Sequence, residues 1–188
     1  MTETIADRYR RRAAAFTDTV AAVSGPRWSA ASPCEDWDAR GVVAHVVGTQ
    51  GMFAGLVGRD LEPGPSVDDD PLGAWTAARD QTQAALDDPA LATVEFDGFG
   101  GRTTLADAVD RFLSFDLVVH RWDLARAAGI HDDILEVDLT ALRVAIDEMT
   151  EQMGEAMRAP GVFGPELTPP SGADTQTRVL AVIGRQAW

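Results

Sequence analysis

The hydrophobic positions recur with helical spacing over most of the chain. Between residues 3 and 24 the apolar side chains fall three or four positions apart, until Ser24-Gly25-Pro26 ends the pattern. The same periodicity predicts further helices over residues 38 to 58, 71 to 87, 104 to 128 and 138 to 157, and a short last helix from Asp174 to Gly184. An all-α fold follows from this pattern.

The segments between these helices differ in character. Residues 91 to 103 alternate weakly and contain Asp97-Gly98, which is typical of a short hairpin or an extended crossover. Residues 59 to 70 and 159 to 172 are rich in proline and glycine and are predicted to be loops. We therefore expect one domain over residues 1 to 188, built as an antiparallel four-helix bundle with a long crossover and an extra C-terminal helix.

The fourth predicted helix carries ionisable residues on its apolar side. Steps of four, three, four and four residues join Leu105, Val109, Phe112, Asp116 and His120, so all five share one face. A buried carboxylate is costly unless it is paired or binds a metal. The spacing therefore makes Asp116 and His120 candidate metal ligands.

The second predicted helix has a similar stripe with a histidine at its centre. Its members are Val42, His45, Thr49, Met52 and Leu56. If this face meets that of the fourth helix, His45 joins Asp116 and His120. Two histidines and one carboxylate are the ligands of catalytic zinc and of non-haem iron. Asp123 lies three residues after His120 and is expected to orient a ligand or to accept a proton, as a catalytic residue.

These residues also have simpler interpretations. An aspartate and a histidine one turn apart are often a surface ion pair, and a single core histidine usually has an ordinary hydrogen-bond partner. A bundle with a buried polar network and no metal stays open. His131 is expected to lie in a solvated loop, and the tryptophans are expected to be packing residues.

Charge and cysteine content exclude some classes of function. The net charge of −14 over 188 residues argues against binding to nucleic acid through phosphate contacts. The single cysteine, Cys34, excludes an internal disulfide and a zinc site built from thiolates. No stretch has the length and apolarity of a transmembrane helix, and the first residues lack the apolar core of a signal peptide. We expect a cytoplasmic protein that does not bind membranes.

Three stretches resemble a known superfamily when taken in order. SPCEDWDARGVVAHVVG, DLVVHRWDLARAAG and RVLAVIGRQAW are similar to actinobacterial proteins of the DinB/YfiT-like superfamily. The closest branch contains metal-binding proteins related to the N-terminal domain of mycothiol-dependent maleylpyruvate isomerase. The resemblance implies a DinB-like four-helix bundle that binds one divalent metal, usually zinc or nickel. Zinc is the first expectation, and the ligand types keep iron as an alternative.

By position, the resemblance assigns the metal to His45, Asp116 and His120. The isomerase has a glutamate where this chain has Asp116, and its functional aspartate corresponds to Asp123. The isomerase also has a C-terminal domain that supplies an essential arginine, whereas this chain is expected to end soon after the bundle.

Three functions stay open at this point. The first is an enzyme that activates a low-molecular-weight thiol, such as mycothiol, for S-transfer to a small electrophile or for its isomerisation. The second is a hydrolase with a metal-bound water, and the third is a metal- or ligand-binding protein without catalysis. We expect a small-molecule substrate or thiol as partner, and a monomer or a homodimer.

Overall fold

The computed structural model describes residues 3–34, 37–98, 101–158 and 162–188. These residues form two compact units, the first ending at Asp132 and the second beginning at Asp133. Most of the described residues are helical, and one short hairpin is the sheet structure among them. The predicted all-α fold is therefore confirmed.

The first unit contains a four-helix bundle. Its elements, in chain order, are α1 (Ile5–Ala22), a 3₁₀ turn (Gly25–Ser29), α2 (Ala39–Leu56), α3 (Pro71–Asp87), α4 (Pro89–Ala92), β1 (Glu95–Gly98), β2 (Gly101–Thr104), α5 (Leu105–Ala108), a π-helical turn (Val109–Leu113) and α6 (Ser114–Ala128). Both α1 and α2 pack against α3 and α6. One apolar core lies between these helices, and its members include Phe16, Val46, Trp75, Leu113 and Leu117.

Short-range signals in the sequence set the helix ends. The side chain of Asp38 accepts a hydrogen bond from the backbone N–H of Gly41 at 2.8 Å, which caps the first turn of α2. Asp70 caps α3 in the same way through the N–H of Gly73, at 2.8 Å. Gly129 ends α6 in the left-handed conformation, with a φ of 69°. The predicted start at Asp38 and the predicted end before Gly129 are confirmed.

The connection between α3 and α5 contains the predicted hairpin and one helix that was not predicted. Strands β1 and β2 pair antiparallel, from Glu95 with Thr104 to Gly98 with Gly101. Pro89 follows the predicted third helix, and proline interrupts the interior of a helix. Proline is also favourable in the first turn of a helix, and here it opens α4 after the cap that Asp88 provides.

The buried face of α2 differs from the predicted stripe. Met52 and Leu56 are 57% and 43% exposed, although the stripe placed them in the core. The buried apolar positions of α2 are Ala39, Val42, Val43, Val46 and Phe53. Nearly every side of this helix offers alanine, valine or glycine, so periodicity alone does not select the core-facing side. His45 consequently lies at the border of the core and not at its centre.

A π-helical turn interrupts the predicted fourth helix. The N–H of Ser114 donates to the carbonyl of Val109, five residues earlier. An ion pair of 3.1 Å between Arg8 and Asp110 ties this turn to α1. Single π turns inside α-helices are rare and often occur near functional sites. This one ends at Leu113, three residues before Asp116 in the first turn of α6.

The second unit contains α7 (Glu136–Met153), a 3₁₀ turn (Gly154–Arg158) and α8 (Thr175–Val182). Asp174 caps α8 by accepting the N–H of Thr177 at 2.7 Å. The Arg158 guanidinium donates to the carbonyl of Gly164 at 2.6 Å, which links the 3₁₀ turn to the extended chain before α8. The extra C-terminal helix is therefore confirmed. None of the helices among the described residues has the length and apolarity needed to span a membrane.

Candidate metal centre

Two helices of the bundle bring together the three predicted metal ligands. His45 comes from the middle of α2, and Asp116 and His120 come from α6. His45 Nε2 lies 3.1 Å from Asp116 Oδ2, and His120 Nε2 lies 3.9 Å from Asp116 Oδ1. One ligand atom from each residue lies within 4.8 Å of the other two. Among the residues that the structure describes, this is the one group of three such side chains close enough to hold an ion.

The separations of the ligand atoms suit a first-row divalent metal. Zinc binds imidazole nitrogen and carboxylate oxygen at about 2.0–2.1 Å, so tetrahedral ligands lie roughly 3.3 Å apart. The two distances from the Asp116 carboxylate, 3.1 and 3.9 Å, fall on either side of this value. The three ligand atoms lie within 4.8 Å of one another, so the imidazoles would move inward on binding an ion. The residues fit the metal that the sequence predicts.

The three side chains differ in their access to solvent. The side chains of His45 and Asp116 are 29% and 31% exposed, whereas that of His120 is only 7% exposed. One side of the group thus faces solvent and the other is enclosed by protein. A metal held by three protein ligands has room for an external ligand on the exposed side, which is the arrangement of catalytic zinc sites.

Asp123 lies behind the group, at the nitrogen of His120 that points away from Asp116. Its Oδ2 is 3.0 Å from His120 Nδ1, and its side chain is fully buried. When Asp123 accepts the Nδ1 proton, the lone pair of Nε2 points toward Asp116. This contact is the one that an orienting role of Asp123 requires, and that role stays a prediction. The catalytic role of Asp123 in proton transfer stays a prediction.

Trp37, which was expected to be a packing residue, contacts two of the three candidate ligands. The centroid of its ring is 4.6 Å from that of His45 and 5.7 Å from that of His120. The signal in the sequence was its position directly before Asp38, the cap of the helix that carries His45. The third histidine of the chain, His131, is not part of the group of three.

A comparison with models of protein families identifies the family of the chain. The family model described as "Mycothiol maleylpyruvate isomerase N-terminal domain" matches residues 9–125. The chain belongs to this family. The match includes His45, Asp116, His120 and Asp123, and it confirms the resemblance found in the sequence. The four-helix bundle of the first unit agrees with a DinB-like fold.

The curated relatives of this isomerase-domain protein are of similar length. Two uncharacterized proteins of Mycobacterium tuberculosis, Rv0738 of strain H37Rv and MT0763 of strain CDC 1551, are each 25% identical to it over 182 residues. Each alignment covers 94% of this chain and 95% of the relative. No solved structure was found to match the chain.

Proposed function

We propose that this protein binds one divalent metal, zinc first, through His45, Asp116 and His120, and uses it with a low-molecular-weight thiol. The observation that carries the proposal is the meeting of three ligand atoms within 4.8 Å from two different helices. His45 and Asp116 are 71 positions apart in the chain, so their contact is a product of the fold and not of local spacing. A surface ion pair and an isolated core histidine do not account for three converging groups, and the metal measurement below distinguishes the metal site from a polar network without metal.

A divalent metal at this position would supply Lewis-acid chemistry, which lowers the pKa of a bound thiol or water. The residues of the chain divide the remaining work according to their exposure. His120 and Asp123 are buried and hold the enclosed side of the site in place. His45 and Asp116 border solvent, where a small molecule has access to the ligand group.

The family favours a thiol over water as the activated group. Its name refers to mycothiol, and the range that matches the family contains all three ligands and Asp123. We therefore propose S-transfer to a small electrophile, or its thiol-assisted isomerisation, as the reaction. The same ligands also suit hydrolysis by water, so the thiol requires a test of its own.

The metal is tested first, by elemental mass spectrometry on protein purified without added metal. Near-stoichiometric zinc, nickel or iron is expected in the natural protein, and almost none in Asp116→Ala or His120→Ala. His131→Ala is the matched control, because it removes the one histidine outside the group. Its metal content should equal that of the natural protein. A natural protein that is free of metal and takes up none on titration would falsify the proposal.

The thiol is tested next, with cobalt substituted for the natural metal. Adding mycothiol to the cobalt-loaded protein should produce a sulfur-to-metal charge-transfer band, and Asp116→Ala should produce none. Turnover assays with mycothiol and small electrophiles then identify the reaction. If the cobalt spectrum does not change on addition of mycothiol, and ester or amide substrates are hydrolysed, the thiol proposal is wrong and the protein is a metal-dependent hydrolase. If neither reaction occurs, a binding protein without catalysis remains.

A further inference from the structure

The two histidines of the site are held differently by their neighbours. Nδ1 of His120 contacts the Asp123 carboxylate at 3.0 Å, which fixes the ring. His45 contacts Asp116 through Nε2, and among the residues that the structure describes no hydrogen bond to its Nδ1 is found. Histidines that bind metals usually donate the proton on their second nitrogen to such a partner. Besides the contact with Asp116, the described residues touch the ring of His45 through its face.

The indole of Trp37 makes that contact. The centroids of the Trp37 and His45 rings are 4.6 Å apart and the ring planes are inclined by 34°, so the two rings are in tilted contact. The same indole lies 5.7 Å from the ring of His120, at 46°. The two imidazoles meet edge to face, 4.7 Å apart and at 71°. The three rings thus form one cluster, in which the indole restricts rotation of both imidazoles.

The backbone on both sides of Trp37 is anchored. Its N–H donates to the carbonyl of Cys34 at 3.2 Å, and its carbonyl accepts the N–H of Ser32 at 2.9 Å. The next residue, Asp38, pairs with Ala31 in an isolated bridge and caps α2. Because both backbone polar groups of Trp37 are bonded, the indole projects from a fixed point at the start of the helix that carries His45.

Gly41 leaves space for this arrangement. A Cβ at residue 41 would lie 3.3 Å from Trp37 Cβ and 3.6 Å from Trp37 Cγ. The first distance is tighter than ordinary van der Waals contact, so a methyl group there would push the tryptophan away by a few tenths of an ångström. The glycine in the first turn of α2 therefore allows the indole to lie close to the helix.

We propose that Trp37 is a positioning residue of the metal centre, and that the contact between its indole and the ring of His45 holds that imidazole in place. The inference rests on the proposed metal site. An aromatic pair of this kind corresponds to a factor of about 2 to 13 in a binding constant. Loss of the indole should therefore weaken metal binding by about this factor, and a smaller aromatic ring should restore part of it.

The experiment measures zinc affinity by competition with a chromophoric chelator, together with thermal unfolding of the metal-free protein. The variants are Trp37→Leu, Trp37→Phe and Gly41→Ala. Trp28→Leu is the matched control, since Trp28 is also half-buried against the same core but stacks on Arg40 and not on a histidine. We expect weaker zinc binding in Trp37→Leu, partial recovery in Trp37→Phe, and no change in Trp28→Leu.

Gly41→Ala separates positioning from a merely structural role. The higher helix propensity of alanine opposes the close contact of its Cβ with Trp37, so the metal-free variant should unfold near the temperature of the natural protein. The displaced indole should nevertheless weaken zinc binding about twofold or more. Gly41→Ala therefore still tests the role of Trp37 if Trp37→Leu does not fold.

The outcomes distinguish this inference from the proposed function. If the natural protein binds no zinc, both are wrong. If it binds zinc and Trp37→Leu, Trp37→Phe and Gly41→Ala bind it equally well, the site stands and the role of Trp37 is rejected. The same rejection follows if zinc affinity in the variants only tracks their thermal stability.

Discussion

The contact between Asp123 and His120 offers the sharpest test of how the fold prepares the metal site. In Asp123→Asn the side chain keeps its size and can still accept the Nδ1 proton, but without its charge. The distance of 3.0 Å and the full burial of Asp123 indicate a strong hydrogen bond. Hydrogen bonds to charged groups contribute about 1.5–3 kcal/mol and neutral ones about 0.5–1.5 kcal/mol. The difference of about 1–1.5 kcal/mol predicts zinc binding roughly tenfold weaker.

Asp123→Leu removes the hydrogen-bond acceptor altogether and should weaken zinc binding by about a hundredfold. This factor is the upper end of the loss seen when a hydrogen-bond partner of a metal-binding histidine is removed. The assay is zinc affinity by competition with a chelator, with thermal unfolding of each metal-free variant to confirm that it is folded. Asp110→Asn is the control, because Asp110 belongs to the same helical segment but pairs with Arg8. Equal zinc affinity in Asp123→Asn, Asp123→Leu and the natural protein would refute the orienting role.

Three further predictions concern the folded state. Tyr9→Phe should lower the free energy of unfolding by about 1–3 kcal/mol in urea denaturation, since it leaves the buried Gln50 Oε1 without the Tyr9 hydroxyl at 2.9 Å. Burial raises the pKa of Tyr9 in the folded protein. The protonated hydroxyl therefore stabilises the fold fully below the unfolded pKa of about 10, and this contribution is lost as the pH rises above that value. Tyr9 is the only tyrosine, so tyrosinate absorbance follows it alone, and a natural protein no more sensitive to alkali than Tyr9→Phe would contradict this. Gly184→Ala should lower the melting temperature, because its φ is +82° and a Cβ would lie 2.7 Å from Gly164 Cα; an unchanged melting curve would count against it.

Local chemistry in the sequence determined most of the secondary structure. The caps at Asp38 and Asp174 and the glycine at residue 129 act within one turn of the helices they limit, so they can be recognised without the fold. Asp116 and His120 are one turn apart on any α-helix, so their pairing was also a local property. These features are short-range, and tertiary contacts did not have to be known.

Only the tertiary structure decided which sides of the helices meet. On α2 the apolar residues surround the helix, so the periodicity favoured Met52 and Leu56, whereas packing buries Val43 and Phe53 in their place. The contact of His45 with Asp116 depends on the packing of α2 against α6 across 71 positions of sequence. The contact of the Trp37 ring with His120, which comes from α6, has the same origin. Such contacts depend on the relative placement of whole helices, which the spacing of residues along one helix does not contain.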